Sequence, residues 1–179
     1  MNHKFSFARA CAESLHDWLH PFAVRIETAG SIRRELPLVG DVDLVVIPTL
    51  KEHRNLLQEV ERTENLTANE IRRKCAEKGW EILKDGAQYF VFNAVAPASG
   101  TVVQVDIWFA TAENFGSLLV CRTGSKEHNI KLCQRATELG GHWNTSKGVT
   151  RGGQLLPATT EEEIFAALDL PFVPPTARR

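Results

Sequence analysis

Apolar positions recur at helical spacing through Phe7, Cys11, Leu15, Trp18 and Leu19, predicting a helix over residues 6–20 with Ser6 as its cap and Pro21 closing it. The period then shortens. "AVRIETAG" alternates as a strand does, and Gly30 breaks it; "DVDLVVIP" is β-branched and apolar after its aspartates and ends at Pro48. Residues 51–62, "KEHRNLLQEVER", and residues 67–79, "TANEIRRKCAEKG", are expected to be two surface helices, the second ended by Gly79. "WEILK", "QYFVFNAVA" and "TVVQVDIWFA" predict three more strands, with turn chemistry at "KDGAQ" and "PASG".

Beyond "ATAENFG" the pattern changes again. "SLLVCRTGSKEHNIKLCQRATELGG" predicts a helix, a sharp Thr-Gly-Ser turn and a second helix stopped by Gly140 and Gly141. A small β-meander over "HWN", "GVTRG" and "QLLPAT" follows. A last helix opens with a capping box, Thr160 with Glu163, and ends by Pro171. Helices interleaved with a mixed sheet over residues 1–110, then a smaller α+β unit over residues 111–179, place the chain in the α/β (α+β) class.

Composition narrows this only a little. The 43% apolar and 24% charged fractions are those of a soluble globular chain. A net charge of −1 gives no global bias toward nucleic acid or membrane, so any nucleic-acid function has to rest on local charge. No apolar run approaches the ~18 residues of a membrane helix, and Arg9, Glu13, His16 and Asp17 interrupt the start, so the expected location is cytoplasmic. Cys11, Cys75, Cys121 and Cys133 are scattered and read as reduced thiols; with His128 and His142 they fit no common zinc spacing.

The chemistry sits where charge interrupts apolar strands. Residues two apart on a strand share a face, so Asp41 and Asp43 stand side by side. Adjacent carboxylates repel, and a hard divalent ion such as magnesium resolves that conflict. Asp106 interrupts "VVQVDIWF" in the same way, sharing its face with Gln104 and Trp108. Three aspartates from neighbouring strands suit a two-metal phosphoryl transfer. Just upstream, Gly30 and Ser31 form a turn rich in donors, followed by Arg33 and Arg34, of which only one is expected to face the site.

Together these residues resemble a family. "GSIRRELPLVGDVDLVV" is similar to the Gly-Ser signature and Asp-x-Asp strand of the nucleotidyltransferase superfamily. "VVQVDIWFA", "LLVCRTGSKEHNIKLCQRA" and "TEEEIFAALDLPFVPP" narrow the likeness to family X DNA polymerases, the DNA polymerase beta relatives. The resemblance implies a nucleotidyltransferase palm with a thumb-like C-terminal domain, in a minimal form without room for the family's lyase and fingers domains. It implies template-directed addition of a deoxynucleotide to a primer 3′-hydroxyl, in short gap-filling or repair synthesis. Asp41, Asp43 and Asp106 would hold two Mg²⁺ ions, with Mn²⁺ able to substitute, and Asp106 would help the 3′-hydroxyl lose its proton. Gly30, Ser31, Arg34 and Gly40 would hold the β and γ phosphates. Thr123, Gly124 and Ser125 would shape the turn against sugar and base, and Asn129 would meet the minor-groove edge of the incoming nucleotide.

Two departures stand out. The family has Tyr-Phe before Thr-Gly-Ser, whereas this chain has Cys121 and Arg122; a template-touching arginine of the family falls on Cys133. Between residues 122 and 151, six basic residues face two acidic ones, and Arg122, Lys126, Lys131 and Arg135 are the expected DNA contacts. The expected partners are a dNTP and primer-template DNA, with no membrane and a monomeric chain. Two other readings stay open: nucleotide transfer to RNA, protein or a small molecule, and a non-catalytic nucleic-acid-binding relative.

Overall fold

The computed structural model describes residues 2–96 and 99–178. A short strand β1 (His3–Lys4) leads into α1 (Phe5–Leu19), and β2 (Ala23–Thr28) runs into the four-residue helix α2 (Gly30–Arg33). After β3 (Leu38–Val39) and β4 (Val42–Pro48) come a hairpin, β5 (Leu50–Arg54) and β6 (Val60–Asn65), and α3 (Leu66–Lys78). Strands β7 (Glu81–Asp85), β8 (Tyr89–Val95) and β9 (Val102–Phe109) complete a five-stranded sheet in the order β2-β4-β9-β8-β7. Helices α4 (Phe115–Thr123) and α5 (Lys126–Glu138) follow, then a meander of β10 (Gly141–Asn144), β11 (Gly148–Arg151) and β12 (Gln154–Leu155), and α6 (Glu161–Ala167).

The sheet is mixed because β4 and β9 are parallel neighbours while its other pairs are antiparallel. One face is covered by α1 and α3. There Ala8, Ala12, Leu15 and Leu19 of α1 and Ile71 and Cys75 of α3 bury against Leu44, Val46, Phe90, Phe92, Val105 and Ile107. The alternation of β4 and β9 turns Val45 to the opposite face, where it packs with Ala29, Ala110, Phe115, Leu118 and Leu119. Val120, the next residue of α4, belongs to a third cluster with Leu132, Trp143, Ile164 and Phe165. Helix α4 therefore buries against the sheet and the C-terminal elements at once, which a helix apolar nearly all round is suited to do. Gly116 makes the contact close: a Cβ there would lie 2.2 Å from the backbone of Thr160, just ahead of α6.

Two expectations are corrected. Residues 51–62 do not form a helix; they are most of the β5–β6 hairpin. Asn55 at the turn accepts from the backbone N–H groups of Leu57 and Glu59, and Gln58 takes a positive φ, so local side-chain bonding competes with helix here. The pair His53–Glu64 at 2.7 Å adds a cross-strand link. Ser6 does not cap α1, which starts one residue earlier; the Phe5 N–H donates to Pro37 O instead. The capping box of α6 is formed in both directions between Thr160 and Glu163. The predicted turn "PASG" includes Pro97 and Ala98, which lie outside the described residues. All four cysteines are free thiols. Among the described residues no helix is long and apolar enough to cross a membrane.

A buried ionic cluster ties α2 to α6. Arg33 donates two bonds of 2.7 Å to Glu161 and a third, of 2.9 Å, to the Thr123 hydroxyl. Arg178, fully buried, reaches the same carboxylate at 2.7 Å and lies between Phe165 and Phe172. Burial pushes the Glu161 carboxyl up, but the bonds from Arg33 and Arg178 outweigh it and hold the group below its ordinary range. Removing one partner strands the other charges, so Glu161→Ala is expected to cost about 3–5 kcal/mol in urea unfolding. An unchanged midpoint and slope would show that the cluster is not a structural tie.

Candidate active site

The site is built outward from the β4–β9 pair. Asp43 and Asp106 are partners in register, so two carboxylates stand side by side on the sheet face away from α1 and α3. Asp41 precedes β4 by one residue. Helix α2 lies against this end of the strand, with the Ala29 N–H donating to Asp43 O at 2.8 Å. Gly30 is required twice over: its φ is +59°, and a Cβ would sit 2.1 Å from Asp43 Oδ2. The glycine thus lets the Asp43 carboxylate lie directly on the α2 backbone.

Arg33 and Arg34 diverge, as adjacent residues on a turn must. Arg33 is committed to Glu161, whereas Arg34 reaches the Thr123 carbonyl with one nitrogen and lines an open cavity of ≈650 Å³. Gly30, Ser31, Asp41 and Asp43 form one wall of that cavity with Arg34. Opposite stand Cys121, Arg122 and Gly124 from the end of α4, and Lys126, Asn129 and Cys133 from α5. The Ser31 hydroxyl is buried without a hydrogen-bond partner, on a residue that lines the cavity.

The remaining expected residues fall unevenly. Gly124, with φ +67°, turns the chain beside Arg34; Ser125 caps α5 by accepting from the His128 N–H; Thr123 is fully buried and holds both Arg33, at the end of α2, and Arg34, just after it. Gly40 is exposed and is not on the cavity wall. Asn129 donates to Cys121 O at 2.8 Å, while its own oxygen is buried and unbonded. Of the basic residues, Lys126 and Lys131 are exposed and make no ion pair among the described residues. Arg135 is occupied by Leu168 O and Glu138, and Arg122 turns inward.

Asp106 is buried, and each of its oxygens accepts a hydrogen bond. The Tyr89 hydroxyl donates to Oδ2 at 2.5 Å and the Gln104 amide to Oδ1 at 2.8 Å. Tyr89 stacks on Trp108 with centroids 3.7 Å apart, and the Arg122 guanidinium lies 3.3 Å from the Trp108 ring centre. The Trp108 N–H makes no full hydrogen bond but lies near enough to Asp43 to favour its charged form. Tyr89 is the participant that sequence reasoning missed, and Arg122, expected as a DNA contact, instead lies on the Trp108 ring. Tyr89 alternates onto the Asp106 face of the sheet, but only the β8–β9 register, Tyr89 opposite Trp108, brings it there.

Electrostatically the carboxylates are in conflict. Burial, then Asp41 and Asp106, push Asp43 up to about 7; Trp108 and Arg122 oppose this. Asp41 is also raised, by burial and then by Asp106. Uncompensated hard oxygens of this kind fit a divalent cation chemically. The fit is incomplete in one respect: among the described residues no three acidic, His or Cys groups converge at ligand spacing, although Asp106 accepts only one hydrogen bond on each oxygen and keeps acceptor capacity beside Asp43.

The family model for the DNA polymerase beta thumb matches residues 118–179, which include the α4–α5 wall of the cavity and α6. The chain is similar to "DNA polymerase/3′-5′ exonuclease PolX" of Bacillus subtilis (strain 168), 27% identical over 173 residues and 96% of this chain. Both likenesses are to DNA polymerases of family X. The chain spans 27% of the length of that Bacillus protein. The mixed α+β architecture agrees with this relationship, because the thumb match meets the sheet that carries the carboxylates.

Because the folded-state pKa of Asp43 lies above its ordinary 3.8, the native state holds a proton that the unfolded chain has released between about pH 4 and pH 7. Stability therefore falls as pH rises through that window. Asp43→Asn is expected to melt roughly 5 °C above the parent at pH 8 in metal-free buffer and at the same temperature near pH 4. A constant difference across this range, measured by calorimetry, would contradict the conflict described.

Proposed function

We propose that the chain is a template-directed, metal-dependent DNA polymerase unit that adds a deoxynucleotide to a primer 3′-hydroxyl. The observation that carries the reading is the registered pair Asp43–Asp106, with Asp41 beside it, at a cavity whose opposite wall belongs to the thumb-matching segment. In this reading residues 1–110 are the palm and residues 111–179 the nucleotide- and DNA-contacting domain.

Each group has a task that its surroundings support. Asp41 and Asp43 are the residues that would hold magnesium, which when bound neutralises charge on the α-phosphate and the departing pyrophosphate. The Ser31 hydroxyl and the free donors of Arg34 take the outer phosphates, for which a guanidinium fork is well shaped. Asp106 takes the proton of the 3′-hydroxyl in this reading, which its hydrogen bonds from Tyr89 and Gln104 support by fixing the carboxylate's orientation. No protein nucleophile is needed, since catalysis of this kind is positioning and charge stabilisation. Gly124 and Asn129 flank the sugar and base from the thumb side. Lys126 and Lys131 meet the DNA backbone, and so few contacts make binding weak and strongly salt-dependent.

Primer extension on gapped and open templates, with each dNTP and rNTP and Mg²⁺, tests the reading. Templated dNMP addition that falls at least about a thousandfold in Asp43→Asn is the expected result. Untemplated transfer, or DNA binding without incorporation in the parent, would contradict it.

A further inference from the structure

Arg122 stands where the polymerase beta likeness leads one to expect an aromatic residue, and it is held differently from the other inward-facing arginines. Arg33 and Arg178 are paired with Glu161. Arg122 forms no hydrogen bond and no ion pair among the described residues, and its Nε is buried with no partner. What holds it is the face of Trp108, 3.3 Å away, itself stacked on Tyr89. A guanidinium held by its face keeps its in-plane N–H donors free at the edges. Those edges border two spaces. One is the 650 Å³ cavity with Asp41, Asp43, Ser31 and Arg34; the other, of ≈560 Å³, is lined by Lys84, Gln88, Tyr89, Asn114 and Ser146. Arg122 and the two carboxylates Asp41 and Asp43 thus line one and the same cavity.

We propose that Arg122 is a built-in counter-charge of this site, which anchors the polyphosphate of a nucleotide without any metal ion and, by the same charge, weakens divalent-ion binding at Asp41 and Asp43. The inference rests on the polymerase reading for the ligand but adds a residue to which that reading gives no part in nucleotide or metal binding. A fixed positive charge beside the carboxylates attracts a polyanion and repels an incoming dication, so the two affinities move in opposite directions when it is removed. Packing on Trp108 alone has no such signature, since loosening the site lowers both.

The test measures dTTP binding in EDTA by calorimetry and Mn²⁺ binding without nucleotide by electron paramagnetic resonance. The proteins are the parent, Arg122→Ala, Arg122→Lys and Asp43→Asn, each checked for cooperative unfolding. Arg122→Ala is expected to weaken metal-free dTTP binding roughly tenfold and to tighten Mn²⁺ binding roughly threefold to tenfold. Arg122→Lys, which keeps the charge but loses the planar fork, is expected to keep parental Mn²⁺ affinity while binding dTTP a few-fold more weakly. Affinities that fall together in Arg122→Ala, or stay unchanged, overturn the inference and leave the polymerase reading standing. Should Arg122→Ala not fold, a parental dTTP affinity or an altered Mn²⁺ affinity in Arg122→Lys overturns it. A parent that binds Mn²⁺ no better than Asp43→Asn overturns both.

Discussion

The site depends on unrelieved repulsion among Asp41, Asp43 and Asp106. A parallel β4–β9 pair places Asp43 and Asp106 in register, and burial makes their charge costly. The surroundings are arranged around that cost. Gly30 omits the Cβ that Asp43 would strike, and Tyr89 and Gln104 satisfy Asp106. Arg122 and Arg34 bring positive charge without neutralising any one carboxylate by direct pairing. A folded domain keeps such a conflict where a ligand is to resolve it, and the ligand that fits is cationic, with an anionic partner opposite.

The phosphate end of the site is not a free loop. The Arg33–Glu161–Arg178 cluster and the Arg34–Thr123 bond fix α2 to the C-terminal elements. The orientation of Arg34 and Ser31 in the cavity is therefore set by pairs of residues 89 and 128 positions apart in the chain. Helix α4 carries the same coupling through packing, burying Leu118 and Leu119 against the sheet side and Val120 into the C-terminal cluster.

Much of this was legible in the residues. Aspartates that interrupt β-branched runs marked both strands and the face they share, because strand alternation is strict. Gly79, Gly140 and the Thr160–Glu163 box marked helix ends through local chemistry. The β5–β6 hairpin was misread because its charged residues favour helix, while the deciding bonds of Asn55 and the His53–Glu64 pair belong to the turn and the cross-strand register. The place of Tyr89 beside Asp106 and the inward turn of Arg122 onto Trp108 are out of reach for a related reason. Each residue acquires its role from a neighbour fixed by β8–β9 register or by helix-on-sheet packing, neither of which a single strand's pattern encodes.

The most direct measurement is the titration of the Asp43 carboxyl carbon itself, by ¹³C NMR on selectively labelled protein from pH 3 to pH 9, with and without Mg²⁺. The account predicts a midpoint near 7 without metal, falling by about two units or more when Mg²⁺ is added. A midpoint close to the ordinary 3.8 that Mg²⁺ leaves in place would contradict it.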